Sequence, residues 1–193
     1  ADDSIRKFIG ALSEGTSAFS IKMTGKIEQL KHQDYSGKRI HVVISDAQGG
    51  SIETKVDIGV HNLVSPDLAE ICFDLGKLDD AVTILADSNE QVVAEKLRSL
   101  LRIGAASTRY KDVFDIYYLL CKKGVREREL DDAIRALVIE DPTMRERSYS
   151  DIANRLSRVF GDRRFKRELS RAKNNWLEVS PDKGTSAITA FFS

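Results

Sequence analysis

The sequence predicts an α+β fold, in which a small antiparallel or mixed sheet is followed by a helical bundle. In the first third of the chain, apolar and polar residues alternate in three segments that turn residues separate, which is typical of antiparallel strands. From Ser88 onward, apolar residues recur at helical spacing instead. We therefore predict two domains, an α+β unit over residues 1–86 and a helical unit over residues 87–193.

The composition is that of a soluble globular protein. Among 193 residues, 41% are hydrophobic, and 30 basic side chains balance 30 acidic ones. A neutral total gives no overall field for nucleic acid, so any such site must be a local patch. No signal peptide and no membrane-length apolar run is present, which favours the cytoplasm and no membrane partner. Cys72 and Cys121 each lie in an apolar run, and we expect two buried free thiols.

The first elements are a short helix and three strands. Ser4 is the predicted N-cap of a helix with the sequence IRKFIGAL, which ends near Gly15. Turns at HQDYSGK and DAQGG then join the strands FSIKMTGKIEQL, KRIHVVISD and SIETKVDIGV. Short turns between sequential strands predict an antiparallel arrangement.

The third strand raises a question about Asp57. Alternating apolar residues predict one buried face for this strand, formed by Ile52, Val56, Ile58 and Val60. Asp57 lies on the opposite face, although aspartate is a poor strand former. The commonest explanation is a solvated face with Lys55 as a neighbour. A functional role would require that other acids and a cationic group converge on this carboxylate.

Beyond the strands, the chain is predicted to become almost entirely helical. Pro66 and Asp67 begin a short helix or turn, and Ala81–Ala86 is one more short strand. The predicted helices are Asn89–Ile103, Thr108–Lys122, Glu127–Ile139, Ser148–Phe160, Arg163–Glu178 and Ser186–Phe192.

Lys96 lies among apolar residues on the helical wheel of Asn89–Ile103. With Val92 at zero, Lys96 falls at about 40°, inside the arc of apolar side chains. A lysine on a core face must extend its amine to solvent, form an ion pair, or point into a pocket. The pattern alone does not choose among these three arrangements.

The next helix contains RYKDVFDIYYLL, in which Asp112 and Asp115 lie three residues apart and neighbour each other on the helix surface. Asp112 lies near the first turn, where the helix dipole favours an acid. Asp115 lies beyond that turn, and an ordinary surface pair with Lys111 or Arg109 is the alternative to a functional role.

A basic segment extends over Thr143–Lys173, where ten basic side chains outnumber four acidic ones. Such an excess in a neutral protein is typical of a nucleic-acid backbone contact, although solvated helix faces explain it equally well. The candidate RNA-binding residues are Arg163, Arg164 and Arg167. By contrast, the sequence has no P-loop, dinucleotide fingerprint or zinc-ligand spacing.

Three motifs together, KVDIGV, VVAEKLRSLL and RYKDVFDIYYLL, resemble the AbiEii-type nucleotidyltransferases. These are the toxins of type IV toxin–antitoxin and abortive-infection systems and are similar to the polymerase-β-like nucleotidyltransferases. The resemblance covers roughly Ile5–Lys123. It implies transfer of a nucleoside monophosphate from an NTP to an RNA such as a tRNA, with a cognate antitoxin as a protein partner.

The resemblance also implies roles for four residues. Asp57 matches the third carboxylate of the family's metal site and would bind Mg²⁺ that accompanies the NTP. Lys96 matches the nucleotide-contacting lysine. Asp112 and Asp115 match an Asp-x-x-Asp helix motif, which would orient that lysine or contact the nucleotide. All four are candidate catalytic residues, and Lys96 and Asp112 are candidate nucleotide-binding residues.

One part of the family pattern is missing from these 193 residues. No Gly-Ser followed by Asp-x-Asp precedes Asp57, and the chain opens on ADDSIRKF without a methionine. We expect an N-terminally truncated nucleotidyltransferase core that binds nucleotide weakly and does not turn over alone. The alternatives are a non-catalytic nucleic-acid- or protein-binding module on a degenerate nucleotidyltransferase scaffold, and a helical structural domain without a nucleotide site.

Overall fold

The computed structural model describes residues 2–14, 19–31, 36–60, 68–73, 82–173 and 175–193. These residues form helices and two small antiparallel sheets, which confirms the predicted α+β class. The chain divides into two compact units, Ala1–Val64 and Ser65–Ser193. The boundary between these compact units thus lies before residue 86. The domain boundary predicted at residue 86 stays a prediction.

The first unit contains helix α1 and a three-stranded sheet. The elements are α1 (Asp2–Glu14), β1 (Phe19–Lys31), β2 (Ser36–Asp46) and β3 (Ser51–Val60), and β2 lies between β1 and β3. In the predicted DAQGG turn, Asp46 Oδ1 accepts hydrogen bonds from the backbone of Gln48 and Gly50. Gly49 has a φ of 88°, a conformation that favours glycine. The HQDYSGK turn lies mostly outside the described residues.

The core of the first unit is small, and this corrects two predictions. Its buried residues are Ile5, Ile9, Ile40 and Val42. Ile52 and Val56 of β3 remain 68% and 39% exposed, so the predicted buried face of β3 is wrong for these two residues. The reason is that α1 packs on β1, leaving this part of β3 uncovered within the described chain. Ser4 lies inside α1, which begins at Asp2, so its predicted role as N-cap is also wrong.

The second unit begins with a strand pair. Strand β4 (Leu68–Phe73) pairs antiparallel with β5 (Val82–Asp87), which confirms the strand predicted near residue 82. Strand β4 was not predicted, because a single short apolar run carries no periodicity that separates strand from turn. The helix or turn predicted at Pro66 and Asp67 lies outside the described residues.

The helices of the second unit largely follow the predicted order. They are α2 (Asn89–Ile103), α3 (Tyr110–Tyr118), α4 (Glu127–Ile134), α5 (Tyr149–Gly161), α6 (Arg163–Arg171) and α7 (Pro181–Phe191). A 3₁₀ turn follows α2 at Gly104–Ala106. Five-residue π-helical turns extend α3 and α4 over Leu119–Lys123 and Arg135–Ile139.

Two helix boundaries differ from the prediction. Helix α6 ends at Arg171 instead of Glu178, because Ala172 adopts an extended backbone and Glu178 has a φ of 54°. Helix α7 begins earlier than the predicted Ser186, at Pro181, where the hydroxyl of Ser180 accepts a hydrogen bond from the backbone of Lys183. The signal was present in the sequence, since serine followed by proline is typical of a helix start.

The large hydrophobic core of the second unit packs side chains from α2 to α7, including Leu97, Phe114, Ile134, Leu156 and Ile188. Neither cysteine belongs to it. Cys72 and Cys121 are free, as predicted, but both are exposed, so their predicted burial is wrong. Cys72 lies on the two-stranded sheet of β4 and β5, which packs closely on no other described element. Cys121 lies in a π-helical turn that alters the helix register. None of the described helices has the length and apolar character to span a bilayer.

Candidate functional site

Helix α2 carries Lys96 and starts at a defined cap. The hydroxyl of Ser88 accepts a hydrogen bond from the backbone of Gln91, at 3.1 Å, which fixes the first turn. Val93, Leu97 and Leu100 of α2 are buried and set the rotation of the helix. Lys96 therefore leaves the helix beside the core, with its side chain only 20% exposed.

Lys96 forms an ion pair with both predicted aspartates. Its Nζ donates hydrogen bonds to Asp112 Oδ1 at 2.7 Å and to Asp115 Oδ2 at 2.9 Å. The side chains of Asp112 and Asp115 are only 8% and 14% exposed. Lys96 thus forms ion pairs, which is one of the three arrangements open to a lysine on a core face. We call Lys96, Asp112 and Asp115 the lysine–carboxylate cluster.

Arg109 also contacts Asp112. Its Nε lies against Asp112 Oδ2, but the N–H is not aligned with that oxygen, so the contact is an ion pair without a hydrogen bond. Asp112 lies in the first turn of α3, as predicted, and its backbone N–H donates to the carbonyl of Arg109.

Asp115 contacts a residue that the sequence analysis missed. Trp176 Nε1 donates a hydrogen bond to Asp115 Oδ1 at 3.0 Å, and the Trp176 ring meets Tyr118 edge to face with 5.0 Å between centroids. Half of Trp176 remains exposed. The sequence signal was weak: Trp176 is the single tryptophan of the chain, and it lies outside regular structure. Lys111 is a more distant neighbour, 3.7 Å from Asp115 Oδ2.

These contacts favour the charged forms of Lys96 and Asp115. Burial alone would raise the pKa of Asp115, but hydrogen bonds from Lys96 and Trp176 outweigh it and hold the pKa below its ordinary value. Burial would likewise lower the pKa of Lys96, and the hydrogen bonds to Asp112 and Asp115 raise it instead. An ammonium has three N–H donors, of which the two carboxylates accept two.

Asp57 lies in the first unit and pairs with Arg39. The two residues are opposite each other in the register of β2 and β3. Arg39 Nε donates to Asp57 Oδ1 at 2.6 Å, and Nη2 donates to Oδ2 at 2.8 Å. Lys55 lies two residues before Asp57 on the same strand, opposite His41. The strand register decides this pair, and register is not visible in the sequence pattern.

The described residues contain no group of three or more His, Cys, Asp or Glu side chains placed to hold one ion. Both oxygens of Asp57 already accept hydrogen bonds from Arg39. The metal role of Asp57 therefore stays a prediction.

The candidate RNA-binding arginines lie on α6. Arg163, Arg164 and Arg167 are all exposed, and Arg167 Nε is 3.0 Å from Glu168 Oε1. Phe165 and Leu169 are buried, so α6 is an amphipathic helix with a basic outer face.

The comparison with protein families gives a match that extends over nearly the whole chain. Residues 1–182 match the family model described as "Nucleotidyl transferase AbiEii toxin, Type IV TA system". No curated protein matches the chain significantly, and neither does any solved structure.

Proposed function

Because this chain belongs to the AbiEii family of nucleotidyl transferase toxins, we propose that it contributes to nucleotidyl transfer from an NTP to an RNA acceptor such as a tRNA. The modified RNA would block growth in the cytoplasm, and a cognate antitoxin protein would counteract the toxin. The residues proposed to act on the nucleotide are Asp57, Lys96, Asp112 and Asp115.

The lysine–carboxylate cluster is the observation that supports this proposal. The two carboxylates keep Lys96 protonated and hold it in one position, while its third N–H donor is left for a ligand. A fixed ammonium suits a triphosphate, because phosphoryl transfer depends mainly on positioning and on neutralising charge. Asp112 and Asp115 would orient the lysine, and the half-exposed Trp176 would lie beside the bound nucleotide.

Asp57 would act as a carboxylate ligand of Mg²⁺ only if Arg39 releases at least one of its oxygens. Bound magnesium would neutralise charge on the phosphates. Asp57 alone cannot complete such a site, because magnesium sites in proteins combine carboxylates with waters and phosphates.

Nucleotide binding can be followed by the fluorescence of Trp176, the single tryptophan of the chain. We expect an NTP to change this fluorescence in a saturable manner and Lys96→Met to weaken binding at least tenfold. Lys111→Met is the matched control, because Lys111 is exposed and lies 3.7 Å from Asp115. Equal affinities of Lys96→Met and the unmodified chain would rule out the proposed role of Lys96.

The transfer step is tested with the complete gene product, an NTP labelled at its α-phosphate, and a pool of tRNA. Label should enter RNA when Mg²⁺ is present, should disappear with EDTA, and should be lost in Lys96→Met and Asp57→Asn. The 193-residue chain alone should bind nucleotide without incorporating label, because it lacks Asp-x-Asp ahead of Asp57. Incorporation by the 193-residue chain alone would contradict that expectation.

The pairing of Asp57 with Arg39 favours one alternative function, a non-catalytic module on a degenerate nucleotidyltransferase scaffold. That module would bind a nucleic acid or a protein. If the complete gene product binds RNA or a protein partner but shows neither NTP binding nor labelling, this alternative replaces the proposed transfer.

A further inference from the structure

Two adjoining cavities in the second unit lie outside the lysine–carboxylate cluster. Their volumes are about 210 Å³ and about 290 Å³, and they share Arg145, Glu146 and Arg155 in their walls. They lie where the chain before α5 meets α5 itself and the end of α2. We call them together the arginine cleft, defined by the charged residues that line it: Arg102, Arg145, Glu146, Asp151, Arg155 and Arg158.

The cleft has an excess of positive charge, since four arginines oppose two acids. Asp151 is engaged at the start of α5, where its Oδ2 accepts hydrogen bonds from the backbone of Arg147 and the hydroxyl of Ser148. Glu146 is only 5% exposed and accepts a long hydrogen bond, 3.3 Å, from the backbone of Arg145. Arg102 already has an interaction partner, which leaves Arg145, Arg155 and Arg158 to contact a ligand.

The guanidinium groups of Arg145 and Arg158 are open to a ligand. Both residues are exposed, and their side chains make no hydrogen bond or ion pair with any described residue. Arg155 is more firmly placed, because its Nε donates to the carbonyl of Leu101 at 3.4 Å. Gly104 lets it approach the backbone: a Cβ at Gly104 would lie 2.6 Å from Arg155 Nη2.

The side chains that line the arginine cleft indicate which kind of ligand it would bind. Guanidinium groups present a planar set of donors that matches phosphate oxygens. The two cavities have no aromatic side chain in their walls, so the cleft offers no surface on which a base could stack. Arginines spread over two adjoining cavities suit successive phosphates of a chain better than a single nucleotide.

We propose that the arginine cleft binds the phosphodiester backbone of the RNA acceptor. This inference rests on the proposed function only in taking the acceptor to be an RNA. It narrows the prediction made from sequence, which took the whole basic segment Thr143–Lys173 as a possible nucleic-acid contact and named Arg163, Arg164 and Arg167 on α6 as the candidate RNA-binding residues. Those arginines lie on an exposed helix face and line neither cavity.

The two sets of arginines give a matched experiment. Binding of a short fluorescein-labelled single-stranded RNA is measured by anisotropy for Arg145→Ala/Arg158→Ala and for Arg163→Ala/Arg164→Ala. Each variant removes two exposed arginines. We expect the cleft variant to bind about tenfold more weakly. Its slope of log Kd against log salt should fall by about 1.4, since each contact to a single strand contributes about 0.7. The α6 variant should change affinity less than twofold.

Equal losses in the two variants would overturn the proposal, because they would indicate a general charge effect. A loss confined to the α6 variant would overturn it in favour of the α6 surface. If the double cleft variant fails to fold, the single variants Arg145→Ala and Arg158→Ala are measured instead, with an expected loss of about threefold each.

The titration of Trp176 fluorescence with NTP separates this inference from the proposed function. The cleft variant should bind NTP as the unmodified chain does. If no variant binds NTP, the proposed function fails, whereas a selective loss of RNA binding in the cleft variant would still support the arginine cleft.

Discussion

At the scale of single residues, several buried charged side chains are each held by specific partners. Lys96 joins α2 to α3 through Asp112 and Asp115. Glu90, at the start of α2, is buried and accepts hydrogen bonds from the backbone N–H and the guanidinium of Arg126. A buried charge that loses its partner is costly, so these residues are sensitive to substitution.

Replacing Lys96 with methionine should destabilise the chain by about 2–4 kcal/mol, because Asp112 and Asp115 lose their common buried partner. The free energy of unfolding in urea, followed by circular dichroism, measures this change. Lys111→Met, at an exposed pair with the same Asp115, should cost no more than about 0.5 kcal/mol. Equal effects of the two substitutions would show that the cluster does not stabilise the fold.

The pairing of Glu90 predicts how stability depends on pH. Burial raises the pKa of Glu90, but hydrogen bonds from Arg126 outweigh it and lower the pKa from an ordinary 4.5 to about 2. The stabilisation is therefore complete above pH 4.5 and is lost as the pH falls towards 2. For one such group the full loss is about 3 kcal/mol.

Glu90→Gln should accordingly reduce the loss of unfolding free energy between about pH 6 and about pH 3. Glu129→Gln is the control, since Glu129 pairs with the same Arg126 but is much more exposed. A pH profile of Glu90→Gln identical to that of the unmodified chain would contradict the prediction.

At the scale of elements, helix starts are encoded locally. The sequence SNEQ, in which Ser88 precedes the first three residues of α2, predicts a capping box, in which the serine and the glutamine would each bond to the other's backbone. The structure shows half of it. The hydroxyl of Ser88 accepts from Gln91 N, whereas the side chain of Gln91 donates to Glu95 instead. Of the two hydrogen bonds of the predicted capping box, only the one to the serine hydroxyl therefore forms.

Ser88→Ala should lower the free energy of unfolding by about 1 kcal/mol, because the backbone N–H of Gln91 loses its acceptor at a buried position. Thermal and urea unfolding measure the change. Ser99→Ala, in the interior of the same helix, should be neutral or slightly stabilising, since alanine is the better helix former. A neutral Ser88→Ala would mean that packing alone fixes the start of α2.

At the scale of the whole molecule, the two compact units differ in the size of their hydrophobic cores. The second unit has a large contiguous core, whereas the core of the first unit consists of four buried residues with a few partly buried neighbours. β3 pairs with β2 and has no other strand partner among the described residues. Regions with few buried apolar contacts open more easily.

Hydrogen exchange followed by mass spectrometry should therefore show faster exchange in β3 than in α2 or α5. Within the first unit, β2 should exchange more slowly than β3, because β2 has a strand on each side. Protection of β3 equal to that of α5 would show that the first unit is as stable as the second, against this expectation.

The α+β class, the order of most elements and the family could all be predicted from the sequence, because periodicity, caps and short motifs act over a few neighbouring residues. Lys96, Asp112 and Asp115 were all identified this way, from a lysine within an apolar arc and two acids at helical spacing.

The partners of these side chains could be found only from the tertiary structure. It placed Lys96 between both acids, added Trp176 from 61 positions along the chain, and paired Asp57 with Arg39 through the strand register. It also left Ile52 and Cys121 exposed, where local patterns predicted burial. The reason is physical: a local pattern shows which side of an element is apolar, whereas burial and pairing depend on which distant element lies against it.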